Sequence, residues 1–197
     1  MAIRDILIRA LRRIGREELA LEVENGGNPA GEGAEVVSTV LYCINAVEDE
    51  LARYYFPLKC TETLYAKEKN TFLFSKFSHL PVKIISVKAG GEDVEFELQP
   101  NCLIAGAREI EVAYNYVPYR KSIDEDSEFG DRFDTKIIEL GAAAEYCIIC
   151  GEAALAEVWE TRYREAIDKS RQLYASGVTL PDEKLERGGY IPPRRWI

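Results

Sequence analysis

Residues 79–119 read HLPVKIISVKAGGEDVEFELQPNCLIAGAREIEVAYNYVPY, a stretch punctuated by Gly, Pro and Asn and set between two helical regions. This stretch constrains the fold more than any other. Residues 81–87 have the β-branched content of a strand. Residues 88–93 hold the Gly90-Gly91 turn, and residues 94–98 alternate apolar with acidic. Pro100-Asn101 turns the chain, residues 102–104 are a brief strand, Ala105-Gly106 turns it again, and residues 110–117 form a second alternating run. The pattern predicts a small antiparallel meander with turns too tight to carry a binding loop. Ahead of it, residues 60–66 form a strand with Thr and Glu expected to face outward, and residues 71–75 form another.

The flanks are helical. Residues 3–19 are expected to be one helix, with Ile3, Leu7, Leu11 and Ile14 on a single stripe and Arg4, Arg9, Arg12, Arg13 and Arg16 mostly elsewhere. Residues 25–33, rich in Gly, connect it to a longer helix over 34–56. There Val36, Val40, Ile44, Val47, Leu51 and Tyr55 recur at steps of three and four, and Pro57 stops the run. After an acidic loop over 121–131, Asp134 or Thr135 caps a third helix that reaches about Cys150. Gly151 interrupts it, and a fourth helix covers 153–175. The expected class is α+β. Two N-terminal and two C-terminal helices form a helical bundle (1–57 and 132–176), a small antiparallel β-sheet domain is inserted over 58–131, and 177–197 is an extended C-terminal tail.

A chain of 197 residues buries enough surface to need no disulfide staples. Five cysteines, an odd number, each in an apolar stretch or strand, suit free buried thiols in a reducing compartment. The net charge of −9 disfavours affinity of the whole chain for nucleic acid or anionic membrane. Charge at Arg4 and Asp5 argues against a signal peptide, and no apolar run is long enough to span a bilayer.

Few residues carry candidate chemistry. Cys147 and Cys150 have metal-like or redox-like spacing, but a thioredoxin-type pair opens a helix, and a zinc site needs two more ligands. Packing is the simpler role. His79, the single histidine, has no serine or cysteine in a nucleophile-type turn beside it, so a loop histidine bonded to backbone is expected. Asp124, Asp126 and Glu128 alternate as calcium ligands do, yet Gly130 falls late and Phe129 intrudes, which favours a solvated acidic loop. Gly26-Gly27 and Gly90-Gly91 lack the strand-to-helix context of a phosphate cradle. The first-helix arginines face DNA or an acidic partner, or else form a charged solvent face paired with Asp5, Glu17 and Glu18, the latter favoured. No catalytic, cofactor-binding or metal-binding residue is expected. The tail is different. Tyr190, Ile191, Pro192, Pro193, Arg194, Arg195 and Trp196 combine large apolar groups, proline and positive charge, a composition suited to ordering on a partner.

In its order of parts the chain resembles the head-to-tail connector (adaptor) proteins of tailed bacteriophages, of the tail tubular protein A type. The resemblance rests on ILIRALRRIG over 6–15 with the 36–55 helix, on LPVKIISV over 80–87 with VEFEL over 94–98, and on 133–171 with Cys150-Gly151-Glu152 between two Ala-rich helices. It covers most of residues 1–176, and the Pro-rich end departs from it. The resemblance implies a virion protein that is not an enzyme, made in the host cytoplasm and placed at the head–tail interface. It implies a homo-oligomeric ring of twelve copies, partnered by the portal protein and by a tail tube, nozzle or next connector. DNA would pass through the lumen without sequence-specific binding. An acidic lumen suits that passage, because no counterion release would favour contact. The competing expectation is a small cytoplasmic metal-binding or redox protein using Cys147 and Cys150.

Overall fold

The structure, a computed structural model, describes residues 1–66, 70–129 and 134–175. The fold is α+β, with five α-helices and two small antiparallel sheets among the described residues. The chain divides into two compact units. One combines Met1–Val47 with the chain from Ser122 onward, and the other is Glu48–Lys121.

In the first unit, α1 (Ile3–Arg13) buries Ile3, Ile6, Leu7, Ile8, Ala10 and Leu11. The single helix expected over 3–19 is instead two. Gly15 adopts φ +75°, its N–H bonds to the Arg12 carbonyl at 3.2 Å, and the Arg16 N–H reaches the Leu11 carbonyl at 2.9 Å. This paired closure needs a left-handed residue, and glycine adopts that conformation without a Cβ clash, so the helix ends there. The chain restarts as α2 (Glu17–Glu24), which closes in the same way at Gly26. α3 (Glu32–Glu50) has a buried stripe of Val36, Val40, Cys43, Ile44 and Val47. It runs on into a π-helical turn, Leu51–Tyr55, where the Phe56 N–H bonds to the Leu51 carbonyl at 2.7 Å. Pro57 disfavours helical geometry at Phe56, so the helix widens and stops.

α4 (Lys136–Ile149) is opened by Asp134, whose Oδ1 accepts the Lys136 N–H at 3.0 Å, and is buried over most of its length. It closes at Gly151, and α5 (Ala153–Ala175) runs back along it with Ala156, Tyr163 and Ile167 buried. Gly141 permits the close approach: a Cβ there would lie 2.9 Å from both the Tyr163 ring and the Val47 methyls. The start of α1 is stitched to the acidic loop. The Ile3 N–H bonds to the Glu125 carbonyl and the Ser127 N–H to the Met1 carbonyl, each at 2.9 Å.

Among the described residues the second unit holds seven strands: β1 (Leu58–Tyr65), β2 (Thr71–Leu73), β3 (Pro81–Ala89), β4 (Glu92–Asp93), β5 (Phe96–Gln99), β6 (Cys102–Ala105) and β7 (Glu109–Tyr116). They are not a meander. One sheet has the order β1-β7-β3-β4 and the other β2-β6-β5. The β3–β4 hairpin pairs only at Lys88–Asp93 and Ala89–Glu92, after which the chain leaves for the second sheet. That frees β7, whose Ile110, Val112 and Tyr114 are all buried, to pair on both sides, with β1 and with β3. Both sheets contribute to one core of Leu64, Phe72, Phe77, Val87, Leu103, Ala105, Ile110, Val112 and Tyr114. The register of β3 slips past Val82 and Ile85, leaving both residues out of the pairing and exposed.

Candidate functional site

A connected polar and aromatic group lies in the second unit, around Glu62. β1 alternates so that Cys60, Glu62 and Leu64 share one face and Thr61, Thr63 and Tyr65 the other. Glu62 therefore faces inward with Leu64, not outward as expected from composition. Its Oε1 accepts the Tyr114 hydroxyl at 2.6 Å and the Ser78 N–H at 3.0 Å, and its Oε2 accepts the Ser78 hydroxyl at 2.6 Å. The His79 N–H donates to the Tyr114 oxygen at 3.4 Å, and the Tyr119 hydroxyl donates to the Ser78 carbonyl at 2.6 Å. The His79 ring stacks on Tyr116 with centroids 4.0 Å apart and lies 5.4 Å from Tyr119.

Burial pushes the Glu62 carboxyl up, but hydrogen bonds from Ser78 and Tyr114, with His79 nearby, outweigh it and hold the group below its ordinary value. Burial, reinforced by that carboxylate, keeps the Tyr114 phenol protonated far above its ordinary range. A carboxylate already accepting three donors, beside a phenol locked in its neutral form, is poorly placed to take a proton from a substrate. Ser78 likewise donates its hydroxyl proton to this same hydrogen-bonded carboxylate. The arrangement works as a clamp that ties the segment after β2 onto the β1–β7 pair.

Four of the five arginines considered on the first helix, Arg4, Arg9, Arg12 and Arg13, are paired within the chain. Arg13 reaches Glu139 Oε2 at 2.6 Å and Arg9 reaches Glu139 Oε1 at 3.3 Å; the Glu139 side chain is only 3% exposed. Arg4 bonds to Asp124 at 2.7 Å and to the Val23 carbonyl at 3.1 Å. Arg12 bridges Glu17 at 3.1 Å and Glu24 at 2.8 Å. The basic helix thus clips α2, α4 and the acidic loop together. Two of the loop carboxylates considered for calcium are drawn into the same stitching, Asp124 by Arg4 and Asp126 by the terminal amino group at 3.5 Å, and the neighbouring Glu125 accepts the Ser122 N–H at 2.6 Å.

Cys147 is buried inside α4 and Cys150 is exposed at its end. Burial pushes the Cys147 thiol up, and it pushes the nearby buried Cys43 thiol up to about 12. Thiols held protonated suit packing better than ligation or attack. Among the described residues no three His, Cys, Asp or Glu side chains are grouped to hold a metal ion, and no helix is long and apolar enough to cross a membrane. Gly90 and Gly91, both at positive φ, form the β3–β4 hairpin turn. The tail residues Tyr190, Ile191, Pro192, Pro193, Arg194, Arg195 and Trp196 lie outside the described residues.

Sequence reasoning missed Glu62, Tyr114 and Glu139 as structural anchors. The signal for Glu62 was its parity with Cys60 and Leu64. The partners of the other two lie too far away in the chain for local pattern to show. Neither a protein-family model nor a curated protein matches this chain.

Proposed function

We propose that this protein is a head-to-tail connector of tailed bacteriophages, a virion component that closes into a ring of twelve copies between the portal and the tail. The observation that carries the reading is the way the chain is apportioned: its two ends share a helical unit and its middle forms a separate β unit. That is the order of parts on which the resemblance rests. In the proposal the helices form a bundle that serves as ring wall, the β unit meets the next tail component, and the tail after Gly177 contacts the portal through Tyr190, Ile191, Pro192, Pro193, Arg194, Arg195 and Trp196. DNA passes through the lumen without sequence-specific contact. Support comes also from the chemistry. The net charge of −9 disfavours sticking to DNA, and four of the five arginines considered for DNA contact (Arg4, Arg9, Arg12 and Arg13) are engaged with carboxylates of their own chain.

The test is imaging of the purified chain, alone and mixed with the cognate portal protein. Rings of uniform copy number seated on the portal are expected. A chain that neither forms rings nor binds the portal under any condition overturns the reading.

A further inference from the structure

Leu155, Val158, Trp159 and Arg162 are spaced three and four apart on α5 and so share one flank. Leu155 is 50% exposed and Val158 47%, and the Arg162 guanidinium lies 5.0 Å over the Trp159 ring. A separate stripe of the same helix, Ala156, Tyr163 and Ile167, already fills the core. Just before the Gly151 turn, Ile148 and Ile149 are also exposed. The apolar flank is therefore left largely uncovered, and Glu152 and Glu157, exposed beside it, are acidic.

We propose that residues 190–197 dock on this flank of their own chain. The reach is sufficient. Ala175 ends α5 about 26 Å from Val158 along the helix, at about 1.5 Å per residue. The stretch 176–189 spans roughly 46 Å when extended. The chemistry is complementary: Tyr190, Ile191, Trp196 and Ile197 match the apolar flank, and Arg194 and Arg195 match Glu152 and Glu157. Pro192 and Pro193 reduce the chain entropy lost on docking. The inference goes beyond the connector reading and stands without it. If both hold, flank and portal compete for the same residues, and the tail stays on its own subunit until the portal displaces it.

Trp159→Phe leaves Trp196 as the only indole. Its emission is compared with that of a free peptide of residues 188–197. Docking predicts emission at shorter wavelength and several-fold weaker iodide quenching than in the peptide, unchanged on dilution. Adding Leu155→Gln and Val158→Gln should return both to the peptide values. In the natural chain, trypsin cleavage after Arg194 and Arg195 should be several-fold slower than in the double Gln variant, a readout that does not depend on Trp159→Phe folding. Peptide-like emission in the parent, a shift that survives the Gln substitutions, or equal cleavage rates overturns the proposal. A shift lost on dilution assigns the flank to the tail of a second copy and overturns the own-chain form.

Discussion

Two carboxylates, Glu62 in the β unit and Glu139 in the helical unit, each tie segments of their own unit by accepting several donors. Glu62 has a lowered folded-state value, so its ionised form is favoured by folding. Its contribution is present above the unfolded carboxylate range and is lost as pH falls through the folded value. Glu62→Gln is expected to lower stability at pH 7 by about 1–2 kcal/mol and to flatten the loss of stability below about pH 5. Urea titrations at a series of pH values measure both effects, and a variant with the natural acid sensitivity would count against the clamp. Glu139 is the more buried of the two and neutralises Arg9 and Arg13. Arg9 is half exposed, which dilutes the penalty of leaving a charge unpaired. Glu139→Gln is therefore expected to cost about 2–3 kcal/mol, less than a fully buried broken pair, as read from the urea midpoint. Neither role was visible from composition. Only the strand parity at Glu62 hinted at it, because an acidic residue on a face shared with Leu64 must find donors or stay unburied.

At the level of elements, helices were legible where their determinants are local. The stripe from Val36 to Leu51 and the break at Gly151 are both written within one or two turns of chain, and both appear in the structure. Gly15 is equally local, but the apolar stripe on either side of it masked its effect. Strand positions were legible for the same reason, whereas strand pairing was not. Whether β7 pairs with β6 or with β1 depends on residues about fifty positions away and on the shared core, not on its own alternation. The packing of α5 on α4 makes a sharp prediction of this kind. Gly141→Ala would force a methyl against both Tyr163 and Val47, so overpacking should outweigh the better helix propensity of alanine. A net loss of about 1–3 kcal/mol is expected in thermal or urea unfolding. A stabilised variant would mean that α5 can shift without cost.

For the whole molecule, the division of the chain sets what can fold alone. Glu48–Lys121 carries both sheets and a core drawn wholly from its own residues, so it has what an independent domain needs. Met1–Val47 does not. α1 has its covering helix α4 on the other side of the insertion, Val47 of α3 packs at Gly141 of the same helix, and Arg9 and Arg13 find Glu139 only there. Expressed alone, the 48–121 fragment is expected to give dispersed amide resonances and a cooperative thermal transition, at a stability marginal for so short a chain. The 1–47 fragment is expected to show the circular dichroism of a largely unfolded peptide, and to gain helix when mixed with a 122–175 fragment. A folded 1–47 fragment would place the core of the helical unit within the N-terminal helices and make the C-terminal pair an accessory. An unfolded 48–121 fragment would make the sheets depend on the helical unit for their stability.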